Sequence, residues 1–159
     1  ARRSNLHLVT GNVVRKQDLA ATLRFFTPDA PAAFVCEGLL RYLSAKEQAS
    51  LARHIYSLLE KRGGLWITSD VFTKAMLTPE DRKTNRMVSK LTGRNVEQTY
   101  FKHERDVQEF YERIGFSVAS RSFQEVTPRL HVPRRFKMSA ADVREGIHHR
   151  VVFILTIKS

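Results

Sequence analysis

The sequence predicts an α/β fold in which parallel strands come first and an antiparallel pair comes last. Short apolar segments alternate with segments whose apolar residues recur at helical spacing, which is typical of a layered α/β sheet. No segment with a good helical pattern lies between the last two predicted strands, so these two are expected to form an antiparallel hairpin at a sheet edge. We therefore expect a doubly wound sheet in a single domain over residues 1–159.

The first part of the chain predicts a strand, a helix and a second strand. "NLHLVT" alternates at Leu6 and Leu8, which favours a short strand, whereas "QDLAATLRFF" has helical spacing at Leu19 and Leu23. "AAFVC" is continuously apolar, as is typical of a strand buried on both faces of a parallel sheet. The single cysteine, Cys36, lies in this strand and is expected to be buried and chemically inert.

The middle of the chain predicts two capped helices around a third strand. Ser44 and Glu47 form a capping box, and an apolar stripe follows as far as a pair of glycines. "LWITSDV", from Leu65 to Val71, is the expected strand. Thr78 then caps a helix with a proline and two acids in its first turn.

The last part of the chain predicts one helix and the two closing strands. The helix, over about residues 104–114, has apolar side chains on one side and stops at Gly115. "FSVASRSF" and "RVVFILTIK" are the strands, and a long basic loop that contains proline joins them.

The basic residues of the chain are numerous and clustered. The net charge is +11 and the sequence pI is about 10.3, which raises nucleic acid as a partner. One cluster forms a stripe on a single predicted helix face, and the other crowds the last loop: Arg82, Arg86, Lys90 and Arg94, then Arg129, Arg134, Arg135 and Lys137. Like charges at four-residue spacing are unfavourable, so either a solvated face or a polyanion-binding surface must explain the stripe.

Several classes of protein have no support in the sequence. No zinc-ligand spacing, aromatic RNA-binding signature or basic-zipper heptad accompanies the basic clusters, so no metal is predicted. No run reaches the roughly 18 apolar residues of a membrane span, and the first residues lack the apolar core of a signal peptide. We therefore expect a cytoplasmic protein without a membrane partner.

A motif between the second strand and the next helix resembles a known family. "EGLLRYL", residues 37–43, follows an apolar strand and precedes a capped helix. With "LHLVTGNV" before it, and "GGLWITSDV", "ERDVQEFYERIGFSV" and "VVFILTIK" after it, the chain resembles the leucine carboxyl methyltransferase and polyketide O-methyltransferase group of class I S-adenosylmethionine-dependent methyltransferases. The likeness runs over nearly the whole chain. It implies a Rossmann-like sheet and methyl transfer from S-adenosylmethionine to a carboxylate or hydroxyl oxygen of a small molecule.

The resemblance also implies which residues form the site. Glu37 would contact the methionine portion of the cofactor, whose ammonium and sulfonium groups are cationic, and Gly38 would let the backbone approach the ligand. Asn12 stands where the family usually has an aspartate that binds the adenine amino group, and its amide oxygen would accept that bond more weakly. Arg41 faces either an acidic substrate or water, and Asp70 either lines the acceptor pocket or forms a turn. The histidines are scattered, so no catalytic base is predicted.

One part of the family's pattern is absent. No strand in the 159 residues is followed by a glycine-rich G-x-G loop, and no acidic residue is placed to hold the ribose hydroxyls. The chain begins with alanine, and it resembles the C-terminal part of a methyltransferase from about the third strand, so the chain alone is expected to be inactive. In a sheet ordered 3-2-1-4-5-7-6, loss of strands one and two would leave the Leu6 strand about 14 Å from the Phe34 strand.

This gap predicts a partner for the strand edge. The apolar edge at residues 33–36 would pair with the Leu6 strand, with a second copy of the chain or with a separate N-terminal segment. We therefore expect a homo-oligomer or a rearranged sheet edge. The alternative function is a non-catalytic basic module that binds nucleic acid or another polyanion.

Overall fold

The computed structural model describes residues 5–126, 135–139, 141, 143 and 150–158. The helices that it describes are α1 (Lys16–Ala21), α2 (Ala45–Arg62), α3 (Pro79–Thr92), α4 (Glu104–Glu112) and α5 (Phe123–Val126). The strands are β1 (Ala32–Cys36), β2 (Gly64–Thr68), β3 (Phe116–Ser122) and β4 (Val151–Ile157). These elements form an α/β structure around one four-stranded sheet, which confirms the predicted fold class at this level.

The sheet has the order β1-β2-β4-β3. β1 and β2 are parallel, and β4 is antiparallel to both of its neighbours, as expected for parallel strands followed by an antiparallel pair. β3 and β4 form the predicted antiparallel pair. The later strand, β4, lies between β2 and β3, so β3 forms the edge of the sheet. Phe34 lies opposite Trp66, which lies opposite Leu155, so one register connects three strands across the sheet.

Helices α2 and α4 pack on the same face of the sheet. Tyr56 of α2 makes an edge-to-face contact with Phe116, and Tyr111 of α4 makes one with Trp66. Trp66 and Phe116 are fully buried, and they belong to one core cluster with side chains of α2 and α4. Burial of these large aromatic side chains is a main source of stability for the sheet.

The other face of the sheet is more exposed, which corrects the expectation for β1. Val35 is 68% exposed and Ala33 is also exposed, although a strand buried on both faces was predicted. β1 is an edge strand, and the described helices that cover the sheet lie on the opposite face. A continuously apolar sequence is therefore compatible with one-sided burial here.

The predicted strand around Leu6 is not formed. Residues 6–12 have no strand or helix, Leu8 is 94% exposed and Leu6 is 66% exposed. The alternation of Leu6 and Leu8 was a local signal, but a strand also needs a neighbour to share its backbone hydrogen bonds. β1 pairs only with β2 among the described residues, so the first of the three pairings considered for its edge, with the Leu6 segment, is not formed.

The helix boundaries follow the local signals closely. The predicted capping box of Ser44 with Glu47 is present, and the predicted cap Thr78 also forms a capping box, with Asp81. Gly93 follows the last residue of α3 as its C-cap and has a left-handed conformation with φ of 67°. The third predicted strand is shorter than expected, because β2 ends at Thr68 and leaves Asp70 outside the strand.

Candidate functional site

The motif turn, residues 37–43, connects the carboxyl end of β1 to the start of α2. Gly38 has a φ of 67°, which glycine adopts without steric cost, and a short 3₁₀ turn follows over Leu40–Tyr42. The Gln48 side chain on α2 donates to the carbonyl oxygens of Leu40 at 2.8 Å and Leu43 at 3.3 Å. The turn is therefore held from the helix side by a buried amide.

Asp70 holds the same turn from the other side. A single carboxylate oxygen, Oδ2, accepts hydrogen bonds from the backbone N–H groups of Leu39 and Leu40. The Asp70 side chain is only 6% exposed, and its burial raises the pKa of the carboxyl group, although the two amides and the nearby Arg41 oppose that shift. Asp70 therefore stabilises a turn about 30 residues away from it in the sequence, and its role in an acceptor pocket stays a prediction.

Glu37 is exposed at the end of β1 and makes no hydrogen bond or ion pair with another described residue. The space beside Gly38 is open, because a Cβ atom built there would have no neighbour within 4 Å. A carboxylate with unused acceptor sites thus lies next to an accessible backbone. These features fit a cationic group such as the ammonium of a methionine moiety.

Arg41 packs against an aromatic side chain. Its guanidinium carbon lies 4.6 Å from the ring centroid of Phe72, and Phe72 stacks on Tyr100 at 5.3 Å between centroids. Arg41 is half-buried, and it also lines an open cavity of about 650 Å³ beside the start of α2 and the segment after α3. The Arg41 side chain is therefore partly shielded from solvent and borders an open cavity.

Asn12 lies in a different part of the structure. Its side-chain oxygen accepts a hydrogen bond from the Val14 N–H at 3.0 Å, and its own N–H donates to Asp18 at 2.9 Å. It lines a small cavity of about 70 Å³ with residues of α1 and the preceding segment, and Glu37, Arg41 and Asp70 are not among them. The structure brings Glu37, Gly38, Arg41 and Asp70 together around one turn, and the role of Asn12 at an adenine group stays a prediction.

The remaining reactive side chains give no catalytic pair among the described residues. Cys36 is buried, and this burial raises the pKa of its thiol to about 11. His7 stacks on Phe25, His54 is half-buried on α2, and the backbone N–H of His103 donates to Asp106 at the start of α4. No group of three or more histidine, cysteine or acidic side chains in the described ranges is arranged to hold a metal ion.

The stripe of basic residues forms one wall of an open groove. Arg82, Arg86 and Lys90 of α3 line it, and Arg94 lies at the end where the chain leaves the helix. Half of the second predicted cluster lies outside the described residues, which include neither Arg129 nor Arg134. Arg135 and Lys137 are described and are exposed.

Sequence reasoning missed two residues that shape the site. Gln48 is a polar side chain at a position that continues the apolar stripe of α2, and that position was a usable signal for a buried hydrogen-bonding role. Phe72 had no comparable signal, because its contact with Arg41 joins residues that are distant in the sequence.

No family model matches the chain, and no curated protein matches it. In the described part of the chain, no helix combines the length and the apolar character needed to cross a bilayer. The cellular compartment stays a prediction.

Proposed function

We propose that the motif turn binds the methionine portion of S-adenosylmethionine, and that the chain is the corresponding part of an O-methyltransferase. The strand order supports this proposal most directly. An antiparallel strand inserted between the second parallel strand and its successor is what the 4-5-7-6 end of a class I methyltransferase sheet would produce, with β1 as strand four. The motif turn then lies beyond the carboxyl end of a parallel strand, where ligands bind in open α/β sheets.

The residues around the turn have distinct roles in this proposal. Glu37 accepts hydrogen bonds from the ammonium group of the methionine portion, and Gly38 leaves room for the ligand beside the backbone. Asp70 and Gln48 do not touch the cofactor but fix the turn that carries these two residues. The bound cofactor supplies an electrophilic methyl group on a sulfonium centre.

The acceptor is proposed to be a carboxylate or hydroxyl oxygen of a small molecule. A carboxylate acceptor needs no general base, which agrees with the lack of a catalytic pair among the described side chains. Alignment of the acceptor oxygen with the methyl group would then be the main contribution of the protein. Arg41, half-buried on Phe72 beside an open cavity, is the candidate residue for an acidic acceptor.

The proposal also keeps the expectation that the sheet needs a partner. The outer edge of β1 is unpaired among the described residues, and its sequence has no lysine, proline or other residue that blocks edge pairing. A second copy of the chain or a separate N-terminal segment would complete the sheet and the cofactor site. The isolated chain is thus expected to bind cofactor without turnover.

Calorimetric titration of S-adenosylhomocysteine into the purified chain tests the proposal. We expect measurable binding that Glu37→Gln weakens about tenfold or more, because hydrogen bonds to charged groups contribute about 1.5–3 kcal/mol. Glu60→Gln is the matched control, since Glu60 is an exposed acid on α2, away from the turn. Absence of binding to the folded chain, or equal weakening by both substitutions, would contradict the proposal.

A further inference from the structure

The basic stripe of α3 lines a groove that the cofactor site does not use. Arg82, Arg86 and Lys90 recur every four residues, so successive side chains start about 6 Å apart along the helix axis. The groove runs between α3 and residues 93–97, is open to solvent and has a volume of about 640 Å³. Arg94 extends the row of cations beyond the end of the helix.

The charge of the groove is only partly balanced within the described part of the chain. Arg82 lies 3.8 Å from Glu97, and Arg94 lies 3.5 Å from Glu47. Arg86 and Lys90 form no ion pair or hydrogen bond with a described residue, and both are exposed. Glu97 is the one acid among the described residues that line the groove; with Glu47, the partner of Arg94, two carboxylates oppose four cations and leave a net charge of +2.

Neutral donors lie between the cations. The Oδ1 atom of Asn95 accepts a hydrogen bond from the backbone N–H of Glu97 at 3.1 Å, so the side-chain NH₂ group of Asn95 can donate to a ligand. Ser89 Oγ accepts from the Val96 N–H at 3.2 Å, which leaves the hydroxyl proton to donate elsewhere. Arginine, lysine, serine and asparagine side chains are the groups that contact nucleic-acid phosphates.

We propose that this basic groove binds the phosphate backbone of double-stranded nucleic acid without reading its sequence. No aromatic side chain lines the described groove, so the base stacking that single-strand binders use has no platform there. A duplex carries about one charge per 1.7 Å of its axis. An extended acidic peptide reaches at most about one charge per 3.4 Å, so a duplex presents about twice the charge density to a chain of net charge +11 and releases more counterions when it binds.

Salt dependence of duplex binding is the measurement that tests this inference. A fluorescent duplex of random sequence is titrated with the intact chain between 50 and 200 mM salt, and the slope of log K against log salt concentration is determined. If the four cations each meet one phosphate, the slope is about −3.6 and affinity falls about 150-fold over this range. Arg86→Gln/Lys90→Gln should reduce the slope to about −1.8 and the loss to about 12-fold.

A second double variant separates the groove from the overall charge. Arg53→Gln/Lys61→Gln removes the same charge from exposed positions of α2 and should leave the slope close to that of the unmodified chain. Circular dichroism of both variants verifies that the fold is intact. The inference is wrong if the chain does not bind the duplex at 50 mM salt, if both double variants weaken binding equally, or if poly-glutamate displaces the duplex at equal charge concentration.

Discussion

Removal of the Asp70 carboxylate should destabilise the fold, because this side chain holds the motif turn. Asp70→Ala leaves the backbone N–H groups of Leu39 and Leu40 without their acceptor. A buried donor that loses its partner costs about 1–3 kcal/mol. Leu40 is buried and Leu39 is half-buried, so water can replace part of the loss at Leu39, and we expect a total of about 2–4 kcal/mol.

Asp70→Asn is the matched control for this prediction. Both amides bond to the same carboxylate oxygen, so the single carbonyl oxygen of asparagine can accept both bonds in the same place. We expect Asp70→Asn to lose about 1 kcal/mol or less, because the hydrogen bonds survive with a neutral acceptor.

Urea denaturation followed by circular dichroism measures both variants. A lower midpoint for Asp70→Ala with an unchanged slope would report lost stability rather than a changed denatured state. Equal destabilisation by the two substitutions would refute the reasoning, because the carboxylate charge rather than the acceptor oxygen would then matter. A stability loss below about 0.5 kcal/mol in Asp70→Ala would refute it as well, because such a loss is within the range of an ordinary surface substitution.

Three further predictions follow from the packing and from the pKa directions. Gly64→Ala should lower the thermal midpoint far more than Gly93→Ala, because an added Cβ at Gly64 would clash with the backbone of Ala32, whereas at Gly93 it meets open space; equal shifts would contradict this. Burial and the nearby Lys16 and Arg53 lower the pKa of His54 in the folded chain. The neutral imidazole therefore contributes its full stabilisation above the pKa of the unfolded chain, about 6.5, and this stabilisation is lost as pH falls through the lower pKa of the folded chain. His54→Gln should therefore reduce the fall of the denaturation midpoint with decreasing pH below about 6.5, and an unchanged pH dependence would count against the prediction. Cys36, buried with its pKa raised to about 11, should react with iodoacetamide at pH 8 only after urea is added, so rapid labelling of the folded chain would show that the thiol is accessible.

Features that depend only on residues close together in the sequence could be predicted from it. The capping box at Ser44 and the helix cap at Thr78 depend only on residues within three positions of each cap, and both are present in the structure. The apolar stripe of α2 and the strand Ala32–Cys36 were equally local signals. In each case the hydrogen bond or the periodicity that defines the element lies within a few residues of it.

Features that depend on distant partners could not be predicted in the same way. The alternation at Leu6 and Leu8 indicated a strand, but no neighbouring strand is present for this segment to pair with in the described structure. The motif turn was found from its sequence, whereas the bonds from Asp70 that hold it join residues about 30 positions apart. The packing of Arg41 on Phe72 similarly depends on how β2 brings the following segment next to the turn.

The most direct test of the proposed cofactor site is to locate bound S-adenosylhomocysteine on the chain by its effect on backbone amide resonances. We expect the ligand to shift the amide signals of Glu37, Gly38 and Leu39 in a ¹⁵N spectrum, and we expect Glu37→Gln to require about tenfold more ligand for the same shifts while Glu60→Gln leaves the titration unchanged. Saturating ligand that leaves the signals of the motif turn unmoved in the folded chain, or that moves only signals elsewhere, would contradict cofactor binding at this turn.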